Sequence, residues 1–357
     1  MPPTLRTTTA LFALTCHALA CLALACAAAD SDDPGVTTTG TTDANPTTFG
    51  TSAPSSTGPD ETADTTAAQD SSGPSPTGTE TSDSTEGGDS TGTPSEPGPD
   101  LRERGPHEVD VVGGSVQTGP GGCVMAYDVF APADVVDAPT VLLAHGFQGN
   151  RGTMAGWAEH WASWGVRVVT PDLCQATIIN ADHLQNGADL VTLAEHLDVG
   201  AVGLAGYSAG GAAALIAAAA MPDALLLLGL DLVDSGGLGL DASADVVAPT
   251  HGITAETAMC NGSSNGLPVL GAIDGSLVVR LIDADHCDFQ NPGGGFCQLC
   301  AEDNTVNTPE EIRAAIFGLS TAAVLWRMGV EPTGAQWWTP GSAYYDALFD
   351  DGLLAQL

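Results

Sequence analysis

The feature that most constrains this chain is a single junction. Ala201–Ala205 is a short apolar run, Ser208–Ala220 is an Ala-rich stretch, and Gly206-Tyr207-Ser208-Ala209-Gly210 joins them. An apolar run without polar alternation suits a strand buried on both faces of a parallel sheet. The Ala-rich stretch predicts a helix that packs close to such a sheet. A G-x-S-x-G sequence between the two predicts a sharp strand-to-helix turn, which the glycines let close without side-chain clashes. The serine hydroxyl is then held above the sheet edge, at the positive end of the helix. That junction commits the chain to layers of strand and helix.

The rest of residues 101–357 repeats the pattern. Val109–Val116 and Val124–Phe130 read as opening strands around the turn Gly119–Gly122, and Thr140–Ala144 as a buried strand. Helical spacing of Met154, Trp157, Ala158 and Trp161 predicts a helix from about Thr153 to Trp164, its aromatics in the core. Gly165–Thr170 is the next strand, with Asp172 as a cap for the segment after it, and His183–Leu197 is helical. Ala224–Leu230, Thr250–Thr254 and Leu277–Ile282 complete the strands. Thr308-Pro309-Glu310-Glu311 has the residues of a helix start with a capping box, opening a helix over 309–328. Such alternation predicts an α/β domain, a mostly parallel central sheet with helices on both faces.

A serine placed this way needs a base, an acid and an oxyanion site to act as a nucleophile. His145-Gly146-Phe147 follows the strand Thr140–Ala144, where the backbone N–H of Phe147 can serve as one oxyanion donor and that of Ala209 as the other. His145 is read as holding the loop. His286 follows the last predicted strand in Ile282-Asp283-Ala284-Asp285-His286, the place of the base in the chain order Ser, acid, His. The other histidines precede the sheet, lie in or beside helices, or sit inside a strand. For the acid, Asp231 directly follows the strand after the nucleophile helix. Glu256, one strand later, and Asp234, three residues into the same loop as Asp231, stay as alternatives.

These segments carry a resemblance. Gly206-Tyr207-Ser208-Ala209-Gly210-Gly211, Leu228-Gly229-Leu230-Asp231-Leu232-Val233-Asp234 and Asp285-His286-Cys287-Asp288-Phe289 resemble the chlorophyllase-like and platelet-activating-factor acetylhydrolase-like branch of the α/β-hydrolases. His145-Gly146-Phe147 with Trp157 and Gly165 is also similar to bacterial polyester hydrolases of the cutinase type. The resemblance spans about residues 120–290. It implies the α/β-hydrolase fold and hydrolysis of carboxylic esters, small or lipid-like, by Ser208, Asp231 and His286, with no metal or organic cofactor. A peptidase or amidase of the same fold, and a catalytically silent surface binding protein, stand as alternatives.

Outside that domain the chain changes character. Residues 1–25 read as a signal peptide, with Arg6 ahead of an apolar, Ala-rich run. Leu22-Ala23-Leu24-Ala25-Cys26 is similar to a bacterial lipobox, although Ala23 stands where Leu is usual. Cys26 is therefore the expected lipidation site, and an exported, lipid-anchored envelope protein the expected location, with plain secretion as the alternative. Residues 26–100, rich in Thr, Ser, Gly, Pro and acidic groups, have too few apolar side chains to offset the entropy of ordering, and read as a disordered tether. The net charge is −36 and the eight basic residues are all Arg. A chain this acidic repels phosphates and anionic surfaces, so no nucleic-acid partner is expected, and membrane contact only through the lipid. Of the nine Cys, six lie beyond the signal region, which in an exported domain predicts disulfides. Cys287, Cys297 and Cys300 are expected to brace one loop, with Cys260 as a fourth member and the pairing open.

Overall fold

The computed structural model describes residues 97–118, 123–293, 300 and 305–355. The signal segment, Cys26, residues 26–96 of the tether, the turn Gly119–Gly122 and Cys297 lie outside the described residues. In chain order the strands are β1 (Val109–Thr118), β2 (Cys123–Pro132), β3 (Thr140–Ala144), β4 (Arg167–Pro171), β5 (Ala176–Thr177), β6 (Asn180–Ala181), β7 (Gly203–Tyr207), β8 (Leu226–Leu230), β9 (Thr250–Thr254), β10 (Leu277–Leu281) and β11 (Leu354–Ala355). The helices are α1 (Ala155–Ser163), α2 (His183–Leu197), α3 (Ala209–Ala220), α4 (Leu238–Ser243), α5 (Gly266–Gly271), α6 (Pro309–Arg327) and α7 (Ala343–Asp350).

Nine strands form one mixed sheet in the order β1-β2-β4-β3-β7-β8-β9-β10-β11, and β5 and β6 form a small hairpin. The six central strands, β4 to β10 in that order, are parallel. β1, β2 and the short β11 pair antiparallel at the edges. The chain is thus an α/β fold with a mostly parallel sheet.

Alternate residues of each central strand face opposite sides, as pleating requires. Val141 and Leu143 of β3 join Trp157 and Trp161 of α1 and Ile312, Ile316 and Leu319 of α6 in one core. Leu142 and Ala144 join Leu190 and Leu193 of α2, Ala213 and Ala217 of α3, and Leu270 of α5 in the other. Both faces of β3 therefore have to be apolar, which is why Thr140–Ala144 shows no alternation.

Several boundaries differ from expectation for physical reasons. β7 extends through Tyr207 because Tyr207 still pairs with Leu230 of β8. α3 begins at Ala209, since Ser208 sits at φ 54°, ψ −126°, outside the helical region. Asp172 does not cap the segment after β4. Its carboxylate turns back to accept the Arg151 N–H at 2.7 Å and to pair with the Arg151 guanidinium, which also reaches Asp128 at 2.9 Å. β3 is the point where the strand order reverses, with β4 on one side and β7 on the other. Open α/β sheets place their sites at the carboxyl ends of strands beside such a point.

Candidate active site

The segments after β3, β7, β8, β9 and β10 all leave the carboxyl edge of the parallel sheet, and the predicted site residues lie in these segments. Ser208 is the residue between β7 and α3. Its positive φ is costly for a residue with a Cβ, on the order of 1–3 kcal/mol. Three backbone hydrogen bonds hold it there. The Ser208 N–H donates to Leu230 O at 3.1 Å, and Ser208 O accepts from Gly211 N–H at 2.9 Å and Val233 N–H at 3.2 Å. Gly206 makes the turn possible, because a Cβ on it would stand 2.2 Å from Gly210 O.

The loop after β3 lies against this turn. A Cβ at Gly146 would come within 3.0 Å of the Ser208 Cβ and 2.8 Å of the Tyr207 ring. Gly146, the residue before Phe147, is therefore packed directly against the serine turn. His145 fixes that loop. Its Nε2 accepts the Leu173 N–H at 3.0 Å, so the proton sits on Nδ1 and is donated to Gly146 O at 2.8 Å. Burial of the ring pushes its pKa below the usual histidine value, which keeps this tautomer neutral. Among the described residues neither the Phe147 nor the Ala209 amide has a hydrogen-bond acceptor. Ala209 opens a helix of 12 residues, whose first amides have no partner inside it.

His286 opens a single four-residue helical turn, His286–Phe289, after β10. Its Nε2 lies 2.9 Å from Ser208 Oγ and its Nδ1 lies 2.6 Å from Asp231 Oδ2. All three side chains are buried, with 7 %, 6 % and 2 % of Ser208, His286 and Asp231 exposed. The second Asp231 oxygen accepts the Ala255 N–H at 3.0 Å, so the carboxylate is clamped between a ring and a backbone amide. The structure thus brings Ser208, His286 and Asp231 into one hydrogen-bonded line across three strand ends.

The other two carboxylates are engaged elsewhere. Glu256 Oε1 accepts the Asp283 N–H at 3.2 Å, and Asp234 Oδ1 accepts the Gly239 N–H at 2.7 Å at the start of α4. Cys260 is disulfide-bonded to Cys300, Cys123 to Cys174, and Cys287 is disulfide-bonded as well. Among the described residues no group of three or more His, Cys, Asp or Glu is arranged to hold a metal, and no helix is long and apolar enough to cross a membrane.

Besides the Ala255 N–H that clamps Asp231, sequence reasoning missed three contributors. The Tyr207 ring lies 4.8 Å from the His286 ring, and burial pushes its hydroxyl pKa well above the usual tyrosine value, so it is a neutral neighbour. The variable position of the motif gives no hint of that contact. The turn that carries His286 is tied by a reciprocal capping box. The Asp285 carboxylate accepts the Cys287 and Asp288 N–H groups, and the Asp288 carboxylate accepts the Asp285 N–H at 2.8 Å. The Asp-x-x-Asp spacing was a readable signal for it. Asp283 accepts the Asn307 N–H at 2.8 Å and the Thr305 hydroxyl at 2.9 Å, which ties residues 305–307 to the same loop. No protein-family model matches the chain, and no curated protein matches it.

Proposed function

We propose that residues 101–357 form an α/β-hydrolase-type serine hydrolase that cleaves carboxylic esters. The observation that carries this reading is the unbroken line Ser208 Oγ, His286, Asp231 at 2.9 and 2.6 Å. In this reading His286 takes the Ser208 proton as Oγ attacks the ester carbonyl. Asp231, accepting from Nδ1, fixes the tautomer that leaves Nε2 free as the base and stabilises the imidazolium that forms. The Phe147 and Ala209 amides receive the developing oxyanion. One such donor is worth roughly 3–4 kcal/mol. Collapse of the intermediate expels the alcohol, which takes the proton from His286. Water, deprotonated by the same ring, then attacks the acyl-enzyme and restores Ser208.

The likeness of the Gly-Leu-Asp and Asp-His-Cys-Asp segments to the chlorophyllase-like branch supports esters over amides as substrate. The disulfides at Cys123, Cys174, Cys260, Cys287 and Cys300 support an exported protein, since such bonds persist in oxidising compartments. We place its lipid at Cys26. Mass spectrometry of membrane-extracted protein is expected to show a diacylglycerol-sized addition there, and an unmodified N-terminus between Ala27 and Asp30 would show plain secretion instead.

The central test is covalent labelling. A fluorophosphonate probe is expected to modify Ser208 of the wild type and to leave Ser208→Ala untouched. A panel of p-nitrophenyl esters, triglycerides and amides then reports the preferred bond. A folded Ser208→Ala protein with wild-type ester turnover would remove the reading. A wild type inert to both probe and panel would leave the fold as a binding scaffold.

A further inference from the structure

We infer that Trp157 is a positioning residue for His286, acting through the carbonyl at the end of the histidine's turn. The inference rests on the reading of Ser208 and His286 as nucleophile and base. During such a reaction the ring's hydrogen bond to Ser208 breaks when the serine becomes acylated. The aim of the imidazole must then be kept by the backbone that carries it, and a misplacement of about 1 Å can cost on the order of a hundred-fold in rate.

Two sets of bonds hold that backbone. At the amino end of His286–Phe289 stands the Asp285–Asp288 capping box. At the carboxyl end the Trp157 indole N–H donates to Phe289 O at 2.9 Å, with both side chains fully buried. Just beyond, the Asn291 N–H donates to Thr153 O at 2.9 Å, and Asn291 O accepts from Gly156 N–H at 2.7 Å. Thr153 lies in the short helical turn Arg151–Met154 that runs straight into α1, and Gly156 and Trp157 lie in the first turn of α1; this stretch follows the loop bearing Phe147. The base and one oxyanion donor therefore hang from the same bracket at the start of α1. The Asn291 bonds are backbone to backbone and survive most substitutions. The Trp157 indole is the side chain in the bracket whose bond lands on the histidine's own turn.

Its ring is in turn fixed edge-on to Phe317 of α6, with centroids 4.5 Å apart. Without the indole N–H, Phe289 O becomes a buried acceptor with no partner, and the cheapest relief is for the turn to move. The neighbouring tryptophan supplies the control. Trp161 is one turn further along α1 and is also fully buried, but it donates to Ser320 Oγ of α6 at 3.2 Å, away from the histidine.

The experiment compares Trp157→Phe and Trp161→Phe with the wild type by melting temperature, by steady-state hydrolysis of p-nitrophenyl acetate, and by fluorophosphonate titration of active sites. Both variants are expected to melt at lower temperature. Only Trp157→Phe is expected to lose kcat per titrated site, by about ten- to a hundred-fold, with KM little changed. The strongly deshielded proton resonance expected for the His286 Nδ1–Asp231 hydrogen bond should stay sharp in Trp161→Phe and broaden in Trp157→Phe. If Trp157→Phe does not fold, 3-benzothienylalanine at position 157 keeps the ring shape and deletes only the N–H, and the same losses are expected from it. Wild-type kcat in the position-157 variant, or equal losses at 157 and 161, would overturn the inference alone. A wild type that the probe does not label would overturn it together with the serine-hydrolase reading.

Discussion

Asp231 is held in a conformation that few aspartates adopt. Its φ is 42°, its N–H donates to Ile253 O at 2.7 Å, and its two carboxylate oxygens face Ala255 N–H and His286 Nδ1. If it orients the imidazole, Asp231→Asn forces the amide to present a donor to Nδ1 or leaves the wrong tautomer. A drop of about ten-thousand-fold in kcat is then expected. Glu256→Gln and Asp234→Asn should stay within about three-fold of the wild type. The amide oxygen in Glu256→Gln can still accept the Asp283 N–H, and that in Asp234→Asn the shorter of two backbone bonds, from Gly239 N–H, leaving only the long one from Leu240 N–H unmet. Near-normal kcat in Asp231→Asn with collapse in Glu256→Gln would move the acid one strand later. The sequence favours Asp231, which directly follows its strand, and keeps Glu256 and Asp234 as alternatives, because each of these also follows a predicted strand end and residue order does not show which carboxylate points at the ring. His286 was easier to read, since only it among the histidines follows the last parallel strand. Tyr207 and Ala255 were illegible for a different reason: one acts by a ring contact and the other by its backbone N–H, and neither leaves a residue-type signature.

The turn His286–Phe289 is the element on which the site depends most, and it titrates. Burial pushes the Asp288 carboxyl up to about 6, and the nearby Asp285 charge adds to this, while its hydrogen bond from Asp285 N–H and the Arg313 charge work against it. A carboxyl with a raised folded pKa binds its proton more tightly in the folded state. Its contribution to stability is therefore present at low pH and is lost as pH rises from about 4, the unfolded value, through about 6. Asp288→Asn keeps an acceptor for Asp285 N–H and cannot ionise. Its melting temperature should match the wild type near pH 4 and exceed it by a few degrees at pH 7. A constant difference across that range would remove the assignment. A second element-scale prediction concerns Cys123 and Cys174, which tie the start of β2 to the segment after β4 across a separation of 51 residues. Replacing both with Ala should cost about 2–4 kcal/mol in urea unfolding and change turnover per titrated site by no more than a few-fold. Neither cysteine belongs to the segments that carry Ser208, Asp231 or His286, and the Leu173 N–H and Ala176 O that hold the loop of Phe147 are backbone groups that the substitution leaves in place. A loss of turnover per site equal to the loss of stability would place that crosslink in the site after all.

At the scale of the whole molecule, the centre of the parallel core was legible because β3, β7 and β8 are largely apolar on both faces, and the run lengths then mark those strands directly. The pieces that escaped are short and held by tertiary contact: the hairpin β5–β6, the six-residue helices α4 and α5, the eight-residue helix α7, and the edge strand β11, which exists only by pairing with β10. One long-range feature predicts how the molecule as a whole responds to acid. His251 lies near the amino end of β9, opposite the edge where the candidate site lies, and is fully buried between β8 and β10. Its Nε2 accepts the Arg327 Nε–H at 2.9 Å, so the neutral ring is the bonded form. Its ring stands edge-on to Trp338 at 4.4 Å and Trp326 at 5.5 Å, and the Arg327 guanidinium lies over Trp326. The cluster thereby joins β9 to α6 and to the C-terminal segment. Burial lowers the His251 pKa to about 3, and the adjacent Arg327 charge acts in the same direction. In the unfolded chain the same group takes a proton near pH 6.5. Between those values the unfolded state binds the proton and the folded state does not, so the contribution of His251 to stability is full above about pH 6.5 and shrinks as pH falls. His251→Gln retains an oxygen to accept the Arg327 N–H and loses the titration. At pH 7, where the ring is neutral in both states, the variant should be less stable by a few kcal/mol through lost ring packing. That gap should narrow steadily toward pH 4, whereas other titrating groups contribute equally to both proteins and cancel. Urea midpoints measured at half-unit steps would decide it, and a gap that stays constant from pH 7.5 to 4 would show that the buried imidazole is not what makes this fold acid-sensitive.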